Sequence, residues 1–184
     1  GGAHILIGPR AACDALRQGL GDAPWRICYE QRLYVCDRAP DGDGLSVRHP
    51  TINEVGPLAT MTARMLGEDL GEDPRVQEPE RHLRAVRSRV LVRSTFVADV
   101  DDQLVFKVDI GTMCAHGAQV GGTWVEPGWR GRGIATRAMR SVAAQLLERA
   151  PRVTLHVNEA NVPAVRCYEA AGFARAAPFR LASR

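Results

Sequence analysis

The chain has 184 residues, 45% apolar and 24% charged, a composition that folds as one ordinary domain, or one plus a fragment of another, around a substantial core. Lysine and arginine total 24 against 21 acidic residues, a net charge of +3, well short of the basicity of a dedicated nucleic-acid binder. No apolar run approaches the roughly 18–20 residues of a membrane span, and no basic-then-apolar leader opens the sequence.

The first residues, Gly1–Gly2 without a methionine, fit a tag remnant or a missing upstream region. HILIG predicts a strand, and PRAACDALRQGL a short helix with Ala12, Leu16 and Leu20 on one face. WRICYE and LYVCD predict two strands around a tight Gln31–Arg32 connection. The stretch RAPDGDG, Arg38–Gly44, carries turn chemistry and no apolar period, so a boundary is expected there. Residues 1–40 are then a short β-α-hairpin segment, too small to bury a core alone. They are expected to be an appendage or the tail of a preceding domain, with the main domain over residues 45–184.

Beyond the boundary, a strand at Leu45–Arg48 leads to a helix starting near Thr51, with Val55, Leu58, Met61 and Met65 at helical spacing. A second helix over Glu78–Ser88 takes Pro79 in its first turn, with Leu83 and Val86 inward. Arg81, Arg84 and Arg87 face outward, as a solvated surface or as an anion or nucleic-acid site. Strands RSTFVADV and QLVFKVDIG follow, joined by Asp101–Asp102 as a hairpin turn. A third strand, QVGGTWVEP, runs into the region that carries the chemistry.

Cys13, Cys28, Cys36, Cys114 and Cys167 are scattered and odd in number, with no CxxC pair and no HExxH. Neither a disulfide framework nor a metal site is expected, and reduced thiols in the cytoplasm are the default. His4, His49, His82, His116 and His156 show no ligand spacing and read as structural or exposed. Lys107 is the only lysine; every other cation is an arginine. Arginine is the better bidentate partner for phosphate and carboxylate, but genomic base composition would leave the same bias.

Residues 124–139 read WVEPGWRGRGIATRAM. A strand stops at Pro127, and Gly131-Arg132-Gly133-Ile134-Ala135 opens a helix reaching about Glu148, with Ile134, Ala138, Val142 and Leu146 as its apolar stripe. Its first amides lack intrahelical partners, the helix dipole adds positive potential, and the glycines permit close backbone approach. That is an anion cradle suited to a pyrophosphate. It is neither a P-loop, which needs Gly-Lys-Ser/Thr, nor a dinucleotide fingerprint, because Thr136 occupies the third glycine position. Further on, VTLHVNEANVPAVRCYEAAGF predicts a strand and then a helix capped by Asn161, with Pro163 in its first turn and Gly172 closing it. Asn161 and Tyr168 stack on one face of that helix.

These segments together closely resemble the GNAT N-acetyltransferase superfamily, over about residues 45–184. Its acetyl-CoA motif, V-x-P followed by Q/R-x-x-G-x-G/A, matches Val125, Pro127, Arg130, Gly133 and Ala135. Its next motif, V-N-x-x-N-x-x-A-x-x-x-Y-x-x-x-G-F, matches Val157, Asn158, Asn161, Ala164, Tyr168, Gly172 and Phe173. The phrase MLGEDLGEDP is also similar to a bacterial subgroup in which a domain of unknown function precedes the acetyltransferase.

The resemblance implies an α/β fold with a mixed, mostly antiparallel central sheet, splayed strands and flanking helices. It implies acetyl-CoA as co-substrate, with its pantetheine arm pairing to the backbone of Thr123 and Val125 beside a bulge at Gly121–Gly122. The amides of Arg130, Gly131, Arg132, Gly133, Ile134 and Ala135 would hold the pyrophosphate, and Asn158 and Asn161 the arm or its surroundings. Tyr168 would protonate the leaving thiolate. Where some relatives carry a basic glutamate this chain offers Gln119, leaving Glu126, Asp109 and His116 as candidates. The acceptor site would lie by the acidic connection GEDLGEDPR, where Glu68 and Asp69, with Glu72 and Asp73, suit a cationic amine or form a solvated loop. The expected partner is a small-molecule or peptide amine, with no nucleic acid and no membrane; homodimers are common in the superfamily. A catalytically weak acyl-CoA sensor is the competing function, with an arginine-rich RNA binder third.

Overall fold

Asp101 and Asp102, at φ 50° and 58°, form the two-residue turn read from the sequence, since a type I′ hairpin needs φ > 0 at both central positions. The turn joins β3 (Thr95–Val100) to β4 (Gln103–Cys114), and β4 doubles back into β5 (Gly117–Val125). The computed structural model describes residues 5–20, 24–71 and 73–184. Gly1–Gly2, His4 and Glu72 lie outside the described residues.

The remaining strands are β1 (Ile5–Pro9), β2 (Ile27–Cys36), β6 (Val153–Asn158) and β7 (Ala174–Ser183). All seven form one sheet in the order β1-β7-β2-β6-β5-β4-β3. The β5–β6 pair is parallel and every other pair is antiparallel. Alternation along β3 loads both faces: Phe96 and Ala98 join one core, Val97 the other. Helix α5 (Ile134–Leu147) buries its whole stripe, Ile134, Ala138, Val142 and Leu146, in the first core together with Tyr168 of α6 (Val162–Ala170). Helices α2 (Val55–Leu70) and α4 (Pro79–Leu91) build the second core. Helix α1 (Arg10–Gly19) packs on β1 and β7, and the four-residue α3 (Pro74–Gln77) precedes α4.

Several sequence expectations need correction. Gln31 and Arg32 are not a turn: they sit in the middle of the single strand β2, opposite Asn158 and Val157 of β6 and Phe179 and Pro178 of β7. β1 and β2 thus share one sheet with the later strands, and β2 is interior to it. The strand expected at Leu45–Arg48 shrinks to a single bridge, Arg48 to Val97. On α1 the buried residue is Cys13, while Leu16 and Leu20 are exposed. On α4 the buried stripe is His82, Val86 and Val90, and Leu83 is exposed. His82 tolerates burial because its Nε2 lies 2.8 Å from the Ala59 carbonyl, to which it donates.

Tyr34 is the anchor of β2. Its side chain is fully buried in the first core; its hydroxyl donates to Glu169 at 2.9 Å and accepts from Arg175 Nε at 3.1 Å. Replacing it by alanine is expected to cost roughly 3–5 kcal/mol, read as a lower urea midpoint, with Tyr34→Phe losing much less. A cost below about 1 kcal/mol for the alanine variant would show that β2 contributes little to the core.

Candidate active site

Strands β5 and β6 pair at Ala118↔Val153 and Gln119↔Thr154 and then separate. On its other side β5 stays with β4, but the register shifts between Lys107↔Trp124 and Asp109↔Gly121, leaving one extra residue in β5. Gly122 sits in that bulge at φ 61°, as the paired glycines suggested. A side chain there is disfavoured twice: by the left-handed backbone, and because a Cβ would crowd Asp109 Oδ2 at 3.0 Å.

A cavity of about 580 Å³ opens into the splay. Thr123, Trp124 and Val125 form one wall, the turn from Trp129 to Thr136 the end, and α6 the other wall through Asn161, Ala164, Cys167 and Tyr168. Gly131 and Gly133 have φ 75° and 70°. A Cβ at either position meets no protein atom within 4 Å. The N–H groups of Gly131, Gly133, Ile134, Ala135 and Thr136 have no partner among the described residues, since the first helical bond runs from Arg137 to Gly133. The end of the cavity is therefore a ring of free donors at a helix N-terminus, which fits a pyrophosphate.

Not every residue expected there is available. The Arg130 N–H donates to Pro127, and its guanidinium bonds the Val125 carbonyl at 3.1 Å, pairs with Glu68 at 3.1 Å and lies over the Trp124 ring at 4.4 Å. Arg130 braces the end of β5 rather than pointing at the turn, and it uses part of the Val125 carbonyl. Arg132 lies over the Trp129 ring. Asn161 lines the cavity, but its Oδ1 already caps α6 by accepting from Ala164 N at 3.2 Å. Asn158, at the end of β6, is not in the lining. The aromatic braces Trp124 and Trp129 were missed; their only sequence signal is that each stands close to an arginine of the turn.

Tyr168 lies where the motif puts it, buried on the α6 wall, with its ring edge-on to Phe173. Burial pushes its phenol up to about 12, against a lowering by a hydrogen bond with the Thr123 side chain. Beside it, burial also raises the Cys167 thiol.

A second cavity, of about 430 Å³, reaches the same bulge from the α2/α4 face. Gly121, Gly122, Gln119 and Asp109 form its inner end, and Met65 is shared by both cavities. Asp109 Oδ2 accepts from the fully buried Lys107 at 2.7 Å, and Oδ1 from Thr95 Oγ1 at 2.7 Å. Burial lowers the Lys107 pKa, and Asp109 opposes that shift. Of the other base candidates, Glu126 pairs with Arg64 at 2.8 Å and His116 is exposed in the β4–β5 turn; neither lines this cavity. Gln119 faces His156 Nδ1 at 3.3 Å.

Glu68 and Asp69 belong to the last turn of α2 and line the first cavity. Burial and the nearby Glu68 raise the Asp69 pKa, while Arg130 lowers it. Asp73 caps α3, accepting from Arg75 N at 2.9 Å. Among the described residues no cluster could hold a metal ion, and no helix is long and apolar enough to cross a membrane.

Solved structures share this architecture. A GNAT-family acetyltransferase from Colwellia psychrerythraea superposes with a TM-score of 0.71 at 12% identity, over 98% of this chain and 64% of its own. A GNAT-family protein from Novosphingobium aromaticivorans gives 0.68 at 19% identity, over 98% and 73%. A Clostridium acetobutylicum protein solved with acetyl-CoA gives 0.53 at 17% identity, over 67% and 87%. At such identities these likenesses show the fold alone, and the chain spans less than two thirds of the Colwellia protein. No curated protein sequence matches the chain. The model of the acetyltransferase (GNAT) family matches residues 64–173, more than half of the chain. By that match, with its splayed strands and glycine-rich turn, the chain belongs to the GNAT acetyltransferase family.

Proposed function

We propose that the chain transfers an acetyl group from acetyl-CoA to a primary amine by direct attack. The observation that carries this reading is the splay of β5 from β6, which ends on free amides at one end and has Tyr168 in its wall. The pantetheine arm would lie along the unpaired edge of β5 near Thr123 and Val125, as an added strand does. The amides of Gly131 through Thr136 would receive the pyrophosphate. Asn161 has amide donors left for the arm once its oxygen has capped α6. Acetyl-CoA supplies the activated acyl group; orienting the amine and stabilising the developing charges fall to this chain's own groups.

The amine would enter by the second cavity and meet the thioester at the bulge. An unpaired N–H of β5 stabilises the oxyanion that forms. Tyr168 then faces the departing thiolate. A phenol held at about 12 is a weak acid beside a thiol near 8.5, so it acts by donating a hydrogen bond as negative charge develops rather than by an early proton transfer. Its raised pKa serves that role, because the donating form persists far into alkaline solution. Asp109 is the base candidate that lines the amine's route. Glu68 and Asp69 lie on the CoA side, so we assign acceptor recognition to the second cavity.

A second reading, an acyl-CoA-binding sensor, is favoured by Gln119, an amide that cannot take a proton. It requires acetyl-CoA binding without thiol release for any amine.

Tyr168→Phe is expected to lower turnover on the order of 10- to 1,000-fold in a thiol-release assay, with acetyl-CoA affinity little changed; unchanged turnover removes Tyr168 from the chemistry. The wild-type rate should rise with pH as the amine loses its proton, with no fall near pH 10 from Tyr168, which stays protonated until about 12. A tyrosine-dependent fall near 10, absent in the phenylalanine variant, would contradict the buried phenol. Gly133→Ala forces an alanine into positive φ at roughly 1 kcal/mol and points a methyl at the cradle. CoA binding by calorimetry is expected to weaken about 10-fold while the fold survives.

A further inference from the structure

The second cavity carries an unbalanced charge. Asp109 lines it, and Lys107, buried behind that wall, pairs with Asp109 at 2.7 Å. Arg89, in the last turn of α4, borders the same cavity and also the narrow cleft where Lys107 and Asp109 meet. Its charge is close enough to Lys107 to disfavour the ammonium further. Two cations therefore face one carboxylate. The other arginine in the lining, Arg81, is neutralised by Glu78 at 2.7 Å, and Arg84 on the next turn pairs with Glu80 at 3.1 Å. Among the described residues, Arg89's guanidinium has neither a carboxylate nor a hydrogen-bond acceptor. The negative C-terminal end of α4 accounts for a cation in this turn, but it leaves the planar fork of N–H donors unused.

A guanidinium fork without a partner matches a carboxylate in two parallel hydrogen bonds. The space beside it, about 430 Å³, suits a small molecule rather than a folded partner. A polyamine or lysine side chain would instead bring positive charge to an already positive wall. The two carboxylates expected to attract such acceptors, Glu68 and Asp69, line the other cavity. We infer that the acceptor is a small amine that also carries a carboxylate, as an amino acid does, with Arg89 holding the carboxylate and the amine directed to the Gly121–Gly122 bulge. The reaction at that amine rests on the acetyl-transfer reading; its binding does not.

The test pairs each of the common L-amino acids with its own carboxamide, which keeps the amine and removes the negative charge. Thiol release from acetyl-CoA is measured alongside calorimetric binding to protein saturated with CoA. At least one amino acid is expected to exceed its carboxamide by about 10-fold or more in kcat/KM and in affinity, as loss of a charge-assisted pair implies. Arg89→Ala should collapse that preference through KM, and Arg89→Lys should keep part of it. Selective binding that depends on Arg89 but releases no thiol would sustain this inference while defeating the acetyl-transfer reading. Equal binding and use of the carboxamides, a preference indifferent to Arg89→Ala, or no amino acid bound at all would each overturn it.

Discussion

The parting of two parallel strands governs this molecule. β5 and β6 share only Ala118↔Val153 and Gln119↔Thr154, and β5 then runs on with one edge unpaired. Backbone donors and acceptors inside a protein need partners, so an open edge within a sheet must be met by solvent or by a ligand that can imitate a strand. The gap persists because each strand is held from its outer side. β5 is secured by β4, and β6 by β2 from Gln31↔Asn158 to Cys36↔Val153. Without β2, nothing in the sheet would join β6 to β7, the strand that follows α6. The N-terminal segment therefore helps to keep the site open although none of its described residues lines the splay.

Arginine does two kinds of work around that gap. All three tryptophans carry a guanidinium on the ring: Arg130 on Trp124, Arg132 on Trp129, and Arg17 with Arg184 on Trp25. Flat, weakly hydrated guanidinium suits stacking where ammonium does not, and Arg130 adds bonds to Val125 and Glu68 in the same pose. Of these, Arg130 and Arg132 brace tryptophans in the wall of the first cavity. Arg89 differs in having no such engagement among the described residues, which leaves its donors for a molecule from outside. Composition alone cannot separate the two roles; only the partners do.

Features set by local chemistry were legible in the sequence. The stripe of α5, the Asn161 cap, the Asp101–Asp102 turn and the bulge at Gly121–Gly122 each depend on a few adjacent residues, and each stands as read. What was misread depends on distant segments. Gln31 and Arg32 look like a polar interruption until β7 and β6 close on both sides of them. Leu83 seemed the natural core residue of α4, but the helix is rotated so that His82 finds the Ala59 carbonyl. The acidic stretch after Met65 suggested a loop; α2 runs on to Leu70 and carries Glu68 and Asp69 into the lining of the first cavity. Arg130 matched its motif position, yet Glu68, far along the chain, decided where its side chain points.

The chain's single lysine ties composition to the site. Lys107 lies at the centre of β4, where an unpaired ammonium would be untenable, and Asp109 is the group that makes it tolerable. In an extended strand, residues two apart point to the same face, so the pair forms without distorting β4. Asp109 then crowds the space that a side chain at position 122 would take, and glycine is the residue that best fits there and adopts φ 61° without strain. The buried pair, the bulge and the turn of β5 away from β6 are thus one linked arrangement. It also engages both carboxylate oxygens of Asp109, with Lys107 on one and Thr95 on the other. An acceptor that arrives already neutral at nitrogen, oriented through its carboxylate, asks less of Asp109 than one whose ammonium must be deprotonated there.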